Sequence, residues 1–393
     1  MKIKLSDAFD LQMGKTPPRN DRDCWGEGHK WISISDIGNA GKYIDTTKEE
    51  ITDVGISKSG IKVVPKGTVI MSFKLSIGKT AITAGDMYTN EAIMAFINKG
   101  KYEIDTNYLY HMCKGIDWFE GTNKAVLGLT LNKATMSEKT IEIPTIEVQQ
   151  EVVSVLDKMD ELIALRKEQL AKLDELVKSQ FIELFGDPKT NPNRWPISKL
   201  SEFCDLQNGY AFKSDDYLTN STVLNCRMSN IRPDGGFDAE YHPKYLPDMF
   251  WEKYKDYRLL DGDVIIAMTD MASDPKILGV PTIVRTNGKK FLLNQRVGKL
   301  TFFDNTAINN VYLMFVLSQK HIRRQLVKSA GGSTQINVGK PAILGVEFFV
   351  PPMKLQEQFA AFVEQTDKSK SAIQQSLDKL ELLKKSLMQQ YFG

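Results

Sequence analysis

Apolar residues recur at spacings of three and four in two stretches of this chain: Val152, Val155, Met159, Leu162, Leu173 and Leu176, then Phe359, Phe362, Ile373, Leu377, Leu380 and Leu387. That spacing predicts two long amphipathic helices whose stripes form a coiled-coil seam with polar gaps near the middle. Pro144 opens the first stretch and Gly186 follows it, while Pro351 opens the second and Gly393 follows it. Apart from Pro352 in the first turn, neither stretch holds an internal proline or glycine that would break a helix. From Pro144 to Phe185 is 41 positions, and from Pro351 to Phe392 is also 41. At 1.5 Å per residue such a helix is roughly 60 Å long, which outruns a small domain.

Ahead of each helix the pattern is β-rich, so it occurs twice. KLSDAFDLQMG from Lys4 returns as KLSEFCDLQNG from Lys199, 195 positions later, and VVPKGTVIMS around Gly67 matches RLLDGDVIIA around Gly262 at the same offset. TNEAI around Asn90 then pairs with LNQRV around Asn294, and NYLYHM around Tyr108 with VYLMFV around Tyr312, both 204 positions apart, so the second copy carries loop insertions. One unit of about 200 residues is repeated. The order globular unit, helix, globular unit, helix leaves the second helix only the first on which to bury its seam. An antiparallel pair follows, with a pseudo-two-fold axis across it. The expected fold is α+β: two pseudo-symmetric α/β domains separated by a long antiparallel two-helix coiled coil. The divisions fall at residues 1–143 and 187–350 for the domains, and 144–186 and 351–393 for the helices.

At 393 residues, 42% hydrophobic and 25% charged, the chain can bury more than one core. It lacks the apolar run of a secretory signal or a membrane span, which leads to the expectation of a cytoplasmic protein with no membrane partner. Cys24, Cys113, Cys204 and Cys226 have no CxxC spacing and are expected to be reduced. A net charge of +2 neither indicates nor excludes nucleic acid. The motifs that could carry chemistry are each incomplete. Gly14-Lys15-Thr16 and Gly78-Lys79-Thr80 resemble the end of a phosphate loop, but Phe9 and Phe73 stand where its first glycine is needed. Asn191-Pro192-Asn193-Arg194 shares two residues with the site of amino-methyltransferases, and no GxGxxG loop accompanies it. Pro247-Asp248 with Asp274-Pro275-Lys276 fits a Mg²⁺-nuclease pattern only at a spacing loose enough for chance. His29, His111, His242 and His321 lack metal-ligand spacing. No catalytic residue, cofactor site or metal site is expected in this chain.

GGSTQINVGKPAILGVEFFVPPMKLQEQ (Gly331 to Gln358) resembles the segment of type I restriction-modification specificity subunits where a target recognition domain runs into a conserved helix. The shared pattern is a Gly-Ser-Thr-Gln loop, a short strand, paired prolines and Leu-x-Glu-Gln, here Leu355 to Gln358. The counterpart in the first half diverges: Thr130 to Asn132 stand near the loop, Pro144 is single, and Gln149, Gln150 and Glu151 replace the usual ending. GKTPPRN from Gly14 resembles the family's Gly-x-Thr-Pro loop, whereas the second copy has GYAFKSDD. The resemblance covers the whole chain. It implies a non-catalytic reader of an asymmetric bipartite site in double-stranded DNA, whose helices dock two methyltransferase subunits that bind S-adenosylmethionine. Restriction subunits using ATP and Mg²⁺ would join them.

For such a reader, phosphate contacts give affinity, while Arg, Asn and Gln read base edges. The candidates in the first unit are Lys15, Thr16, Arg19, Lys74, Ser76 and Lys79. In the second they are Lys213, Arg227, Asn230, Arg232, Gln295, Arg296, Ser333, Thr334 and Gln335. Tyr210, Phe212, Trp251 and Phe291 could stack on bases, although aromatic residues in a β-rich unit more often belong to a core. Two other readings stay open: a coiled-coil adaptor that binds protein rather than DNA, and a stand-alone modification or restriction enzyme.

Overall fold

The β-rich runs form sheets in the computed structural model, whose described residues are 1–74, 76–119, 131–303 and 308–393. Thr130, set near the first recognition loop above, lies outside them, while Asn132 caps a short helix, Lys133–Glu138. The first half holds β1 (Phe9–Met13), β2 (Trp25–Ile32), β3 (Tyr43–Ile44), β4 (Val69–Ser72), β5 (Thr80–Thr83) and β6 (Ile93–Asn98), then helices α1 (Thr106–Gly115) and α2 (Ile146–Phe185). The second half holds β7 (Cys204–Asn208), β8 (Val223–Cys226), β9 (Val264–Ala267), β10 (Thr269–Met271), β11 (Pro281–Ile283), β12 (Lys290–Leu293) and β13 (Val297–Phe302). Helix α3 (Asn310–Leu317), strand β14 (Gln335–Asn337) and helix α4 (Met353–Phe392) complete it.

The main sheet of the first half runs β1-β6-β4-β5-β3, antiparallel except where β3 meets β5. That of the second half runs β7-β13-β9-β11 and is antiparallel throughout. The register repeats with the sequence: Phe96 lies between Leu11 and Val69, and Leu300 between Leu206 and Val264. All four residues of β4 and of β9 are buried, as suits strands of apolar and small residues covered on both faces.

Two contact units are distinguished, Met1–Gln169 with Ile373–Gly393, and Leu170–Ala372. Both long helices therefore pass from one unit into the other. Within the first unit the start of α2 and the end of α4 run antiparallel, joined by Lys384 to Asp160 and by Lys167 to Glu381 at 2.8 Å. Within the second, Lys370 meets Asp174 at 2.5 Å. Gly186, at φ 81°, ends α2 in the left-handed conformation that glycine tolerates best.

The seam differs in register from its sequence expectation. Val152, Met159, Phe359 and Leu377 are buried, and Leu162, Leu173, Phe362, Ile373, Leu380 and Leu387 are half-buried. Val155 and Leu176 face solvent, and their neighbours Leu156 and Val177 take the buried positions. Each helix packs on an α/β core as well as on the other helix, which draws its stripe toward the i+4 side.

Each unit is completed by a helix end. In the first, Leu387, Met388, Tyr391 and Phe392 of α4 pack on the core around Phe9, Phe96 and Leu156, with Phe392 5.4 Å from Tyr108 of α1. In the second, Phe181 and Phe185 of α2 pack with Phe359 and with Tyr312 of α3, the Phe185 and Tyr312 rings 5.1 Å apart. A buried glutamine fixes the other end of each helix. The Gln149 amide accepts from the Asp105 N–H at 2.8 Å and donates to the carbonyls of Glu103 and Pro144 at 3.0 Å each. The Gln356 amide accepts from the Asn309 N–H at 2.8 Å and donates to the Pro351 carbonyl at 2.7 Å. Asp105 and Asn309 are the N-caps of α1 and α3, so each glutamine locks a long helix to the capped end of a domain helix. Among the described residues, no helix is long and apolar enough to cross a membrane.

Candidate nucleic-acid interface

Where β1 and β7 end, each chain crosses a second segment at an asparagine, and the hydrogen bonds of the two crossings coincide. Lys15 N–H donates to the Thr89 carbonyl at 2.9 Å, and Tyr210 N–H to the Leu293 carbonyl at 2.9 Å. Asn90 N–H donates to Ile32, and Asn294 N–H to Cys226, both at 3.0 Å. The side-chain oxygen of Asn90 accepts from Ala92 N–H at 3.0 Å, and that of Asn294 from Arg296 N–H at 3.1 Å. Phe73 N–H then donates to Ala92, and Met268 N–H to Arg296. The approach is close enough to require glycine: a Cβ at Gly14 would lie 2.1 Å from the Thr89 carbonyl oxygen, and one at Gly209 2.1 Å from that of Asn294.

On this shared frame the side chains differ. In the first unit the exposed carboxylate of Glu91 accepts from the Thr16 hydroxyl. Partial burial works against its ionisation, but the Thr16 hydrogen bond, its own backbone N–H and the nearby Lys74 and Arg19 charges outweigh that and hold it below the ordinary carboxylate range. Of these groups Thr16 touches the carboxylate directly, while Lys74 and Arg19 act on it through their charge. Arg19 also pairs with Glu49, Nη1 to Oε1 at 2.5 Å, and its guanidinium lies 3.9 Å from the centre of the Trp25 ring. Lys15 Nζ donates to the Ser59 and Gly60 carbonyls at 3.0 and 3.1 Å. Ser76 and Lys79 are exposed on the β4–β5 turn, where the Ser72 hydroxyl holds Ser76 O and Lys79 N.

In the second unit Gln295 and Arg296 are exposed at the crossing, and Gln295 N–H donates to the Tyr210 carbonyl. Thr334 and Gln335 join through the β10–β14 ribbon, in which Met271 faces Gln335 and Ala272 N–H donates to Thr334. Ser333 is exposed beside them. Half-buried Arg227 follows Cys226, the residue held by Asn294, whereas Lys213 is exposed at the head of a short turn after Tyr210. Arg232 is tied elsewhere, to Asp238, and stacks 4.0 Å from the centre of the Tyr241 ring. Asn230 is a correction. It is buried, its oxygen accepting from Arg227 N–H and its amide donating to the Asp238 carbonyl, so the side chain shapes the loop and offers nothing to a base. Phe291 and Phe212 are buried core residues, while Tyr210 and Trp251 are half-buried.

Glu91 lies outside the sequence pattern of basic and amide side chains that suits DNA. Its signal lay in the pairing of TNEAI with LNQRV, which sets Glu91 opposite Gln295. Among the described residues no three His, Cys, Asp or Glu side chains could hold a metal ion. The four cysteines are free and buried, and burial pushes the Cys204 thiol up to about 12. His111, isolated in the sequence, is buried against Asp157 of α2, Nε2 to Oδ1 2.7 Å, and the same carboxylate pairs with Lys42 at 2.6 Å.

Residues 1–175 and 192–382 match the type I restriction modification DNA specificity domain. Similar proteins include the type I restriction enzyme MjaIX specificity subunit of Methanocaldococcus jannaschii, 22% identical over 92% of this chain and 85% of that one. The EcoR124I/EcoR124II specificity subunit of Escherichia coli is 27% identical over 43% of each chain. Among solved structures, the fold resembles that of a chain from a type I R-M system studied for complex assembly and conformational transition, at TM-score 0.62 and 16% identity over 100% of this chain and 97% of that one. It also resembles the S subunit from M. genitalium, at TM-score 0.55 and 14% identity over 100% and 96%. With two copies of the domain covering nearly all of its length, this chain belongs to the specificity-subunit family of type I restriction-modification systems.

Proposed function

We propose that this chain reads an asymmetric, bipartite site in double-stranded DNA, one half with residues 1–143 and the other with residues 187–350. Segments 144–186 and 351–393 space the halves and dock two methyltransferase subunits. S-adenosylmethionine belongs to those subunits, and ATP with Mg²⁺ to restriction subunits that join them. The observation that carries this reading is the doubled crossing: matching hydrogen bonds hold Glu91 beside Lys15, Thr16 and Lys74 in one unit and Gln295 with Arg296 in the other, where the β10–β14 ribbon adds Thr334 and Gln335. A common frame with different exposed side chains suits two half-sites of similar geometry and different sequence. Arg19, Ser76, Lys79, Lys213, Arg227, Arg232 and Ser333 would add phosphate or base contacts around each frame.

The test is DNA binding by the chain co-purified with its methyltransferase subunit, measured across salt concentrations. Neutralising 6–10 phosphates predicts a loss of roughly 10³–10⁵ in affinity between about 50 and 200 mM salt. Absent or salt-insensitive binding would leave the adaptor reading. Methylation by the chain alone would favour the stand-alone enzyme.

A further inference from the structure

We propose that Glu91 and Gln295 are specificity-determining residues at equivalent positions, Glu91 accepting a hydrogen bond from the amino group of a cytosine and Gln295 pairing at two points with an adenine. The inference rests on the reading of the chain as a two-part DNA reader and names the bases that two of its positions select.

Glu91 and Gln295 each follow the asparagine of a crossing, and each precedes the residue whose N–H that asparagine side chain holds. The carbonyl of that next residue accepts from Phe73 in one unit and from Met268 in the other. The backbone on either side of the two positions is therefore held alike, although the Gln295 N–H is taken by the Tyr210 carbonyl and the Glu91 N–H by its own carboxylate, and both side chains are exposed. They differ by one atom, a carboxylate oxygen against an amide nitrogen, and that atom changes what each can bind. A carboxylate only accepts, so in the major groove it recognises an amino group and gains nothing from guanine O6 or N7. An amide donates and accepts, which fits adenine N6 and N7.

The surroundings of Glu91 argue in the same direction. The Thr16 hydroxyl donates to Oε2, and the charges of Lys74 and of Arg19, itself paired with Glu49, favour the ionised carboxylate. A carboxylate among groups suited to phosphate is repelled by the DNA backbone. Its place in such a cluster is explained if it meets a donor on a base edge, and the neighbouring cations offset the repulsion. At the second crossing Gln295 takes the equivalent position and is followed by exposed Arg296.

The experiment co-expresses the chain with its methyltransferase subunit in a host lacking the system and maps methylated adenines genome-wide, for the wild type, Glu91→Gln and Gln295→Glu. Glu91→Gln is expected to alter one base of one half-site and Gln295→Glu one base of the other, each leaving the remaining half intact. With the purified complexes, oligonucleotides changed at the assigned base should lose roughly 5- to 150-fold in discrimination between wild type and variant. Both variants methylating the wild-type motif unchanged would overturn the inference and make Glu91 a brace for Thr16 and its cations. A folded variant whose affinity falls equally for substitutions at every position would overturn it as well. Should Glu91→Gln fail to fold, Gln295→Glu decides the matter in the other unit. A wild-type complex that methylates no bipartite motif would instead refute the proposed function itself.

Discussion

Replacing Gln149 by leucine keeps the side-chain volume and removes every hydrogen bond of the amide that locks α2 to α1. Three backbone groups lose their partner: the Asp105 N–H, and the Glu103 and Pro144 carbonyls. Gln149 is fully buried, so water does not replace the amide. A stranded buried N–H costs about 2–3 kcal/mol and each carbonyl, with a second lone pair to re-aim, about 0.5–1, so the three together cost about 3–5 kcal/mol. The leucine recovers about 1 kcal/mol of apolar burial, leaving a net loss of about 2–4 kcal/mol. For a unit of this size that lowers Tm by roughly 5–12 °C. Urea and thermal unfolding followed by far-UV circular dichroism measure it. Gln150→Leu, one residue away on the exposed face, is the control and should stay within about 0.5 kcal/mol of wild type. Equal midpoints for Gln149→Leu and Gln150→Leu would refute the clamp.

Three more outcomes are expected. Gly209→Ala puts a methyl group 2.1 Å from the Asn294 carbonyl oxygen, forcing the crossing open, so thermal unfolding should register a loss of about 1–3 kcal/mol and sequence-specific DNA binding should fall with it. Leu156→Ala should cost about 2–5 kcal/mol and Val155→Ala no more than about 0.5, since only the former is buried; equal losses in denaturant titrations would restore the register expected from sequence. Burial holds the His111 imidazole below its ordinary value of 6.5, against the opposing hydrogen bond that its Nε2–H donates to the Asp157 carboxylate. The unfolded chain thus takes up the proton first: stability is complete above pH 6.5 and declines as pH falls through the folded-state value. Urea midpoints between about pH 8 and 5 should show that decline, and His111→Gln should flatten it.

The large elements were legible because their causes are local or periodic. A helix of 40 residues with proline before it and glycine after it announces itself, and a doubled strand pattern reveals the repeat. What stayed hidden depends on packing against several neighbours at once. Val155 and Leu176 satisfy a two-helix seam, but the α/β cores turn the buried stripe to Leu156 and Val177. Gln149 looked like a departure from the usual ending of its motif, yet it performs the same task as Gln356, 207 positions on, because a buried amide is defined by the backbone groups it meets. Asn230 has the chemistry of a base reader and is spent on its own loop. Glu91 was passed over because a search for groups that attract phosphate discards carboxylates.

The exchange of helix ends has a consequence for how the chain is made. The first core needs Leu387, Met388, Tyr391 and Phe392, which leave the ribosome only after all of the second unit's residues have been synthesised. At about 5–20 residues per second, roughly 200 intervening residues impose a wait of about 10–40 s. Through that interval the Tyr108 face of α1 lacks its cover, while the second unit, whose residues 170–372 are contiguous, can close as soon as they emerge. The half synthesised first is therefore the half finished last, and the nascent first unit is the form most exposed to aggregation and most in need of a chaperone.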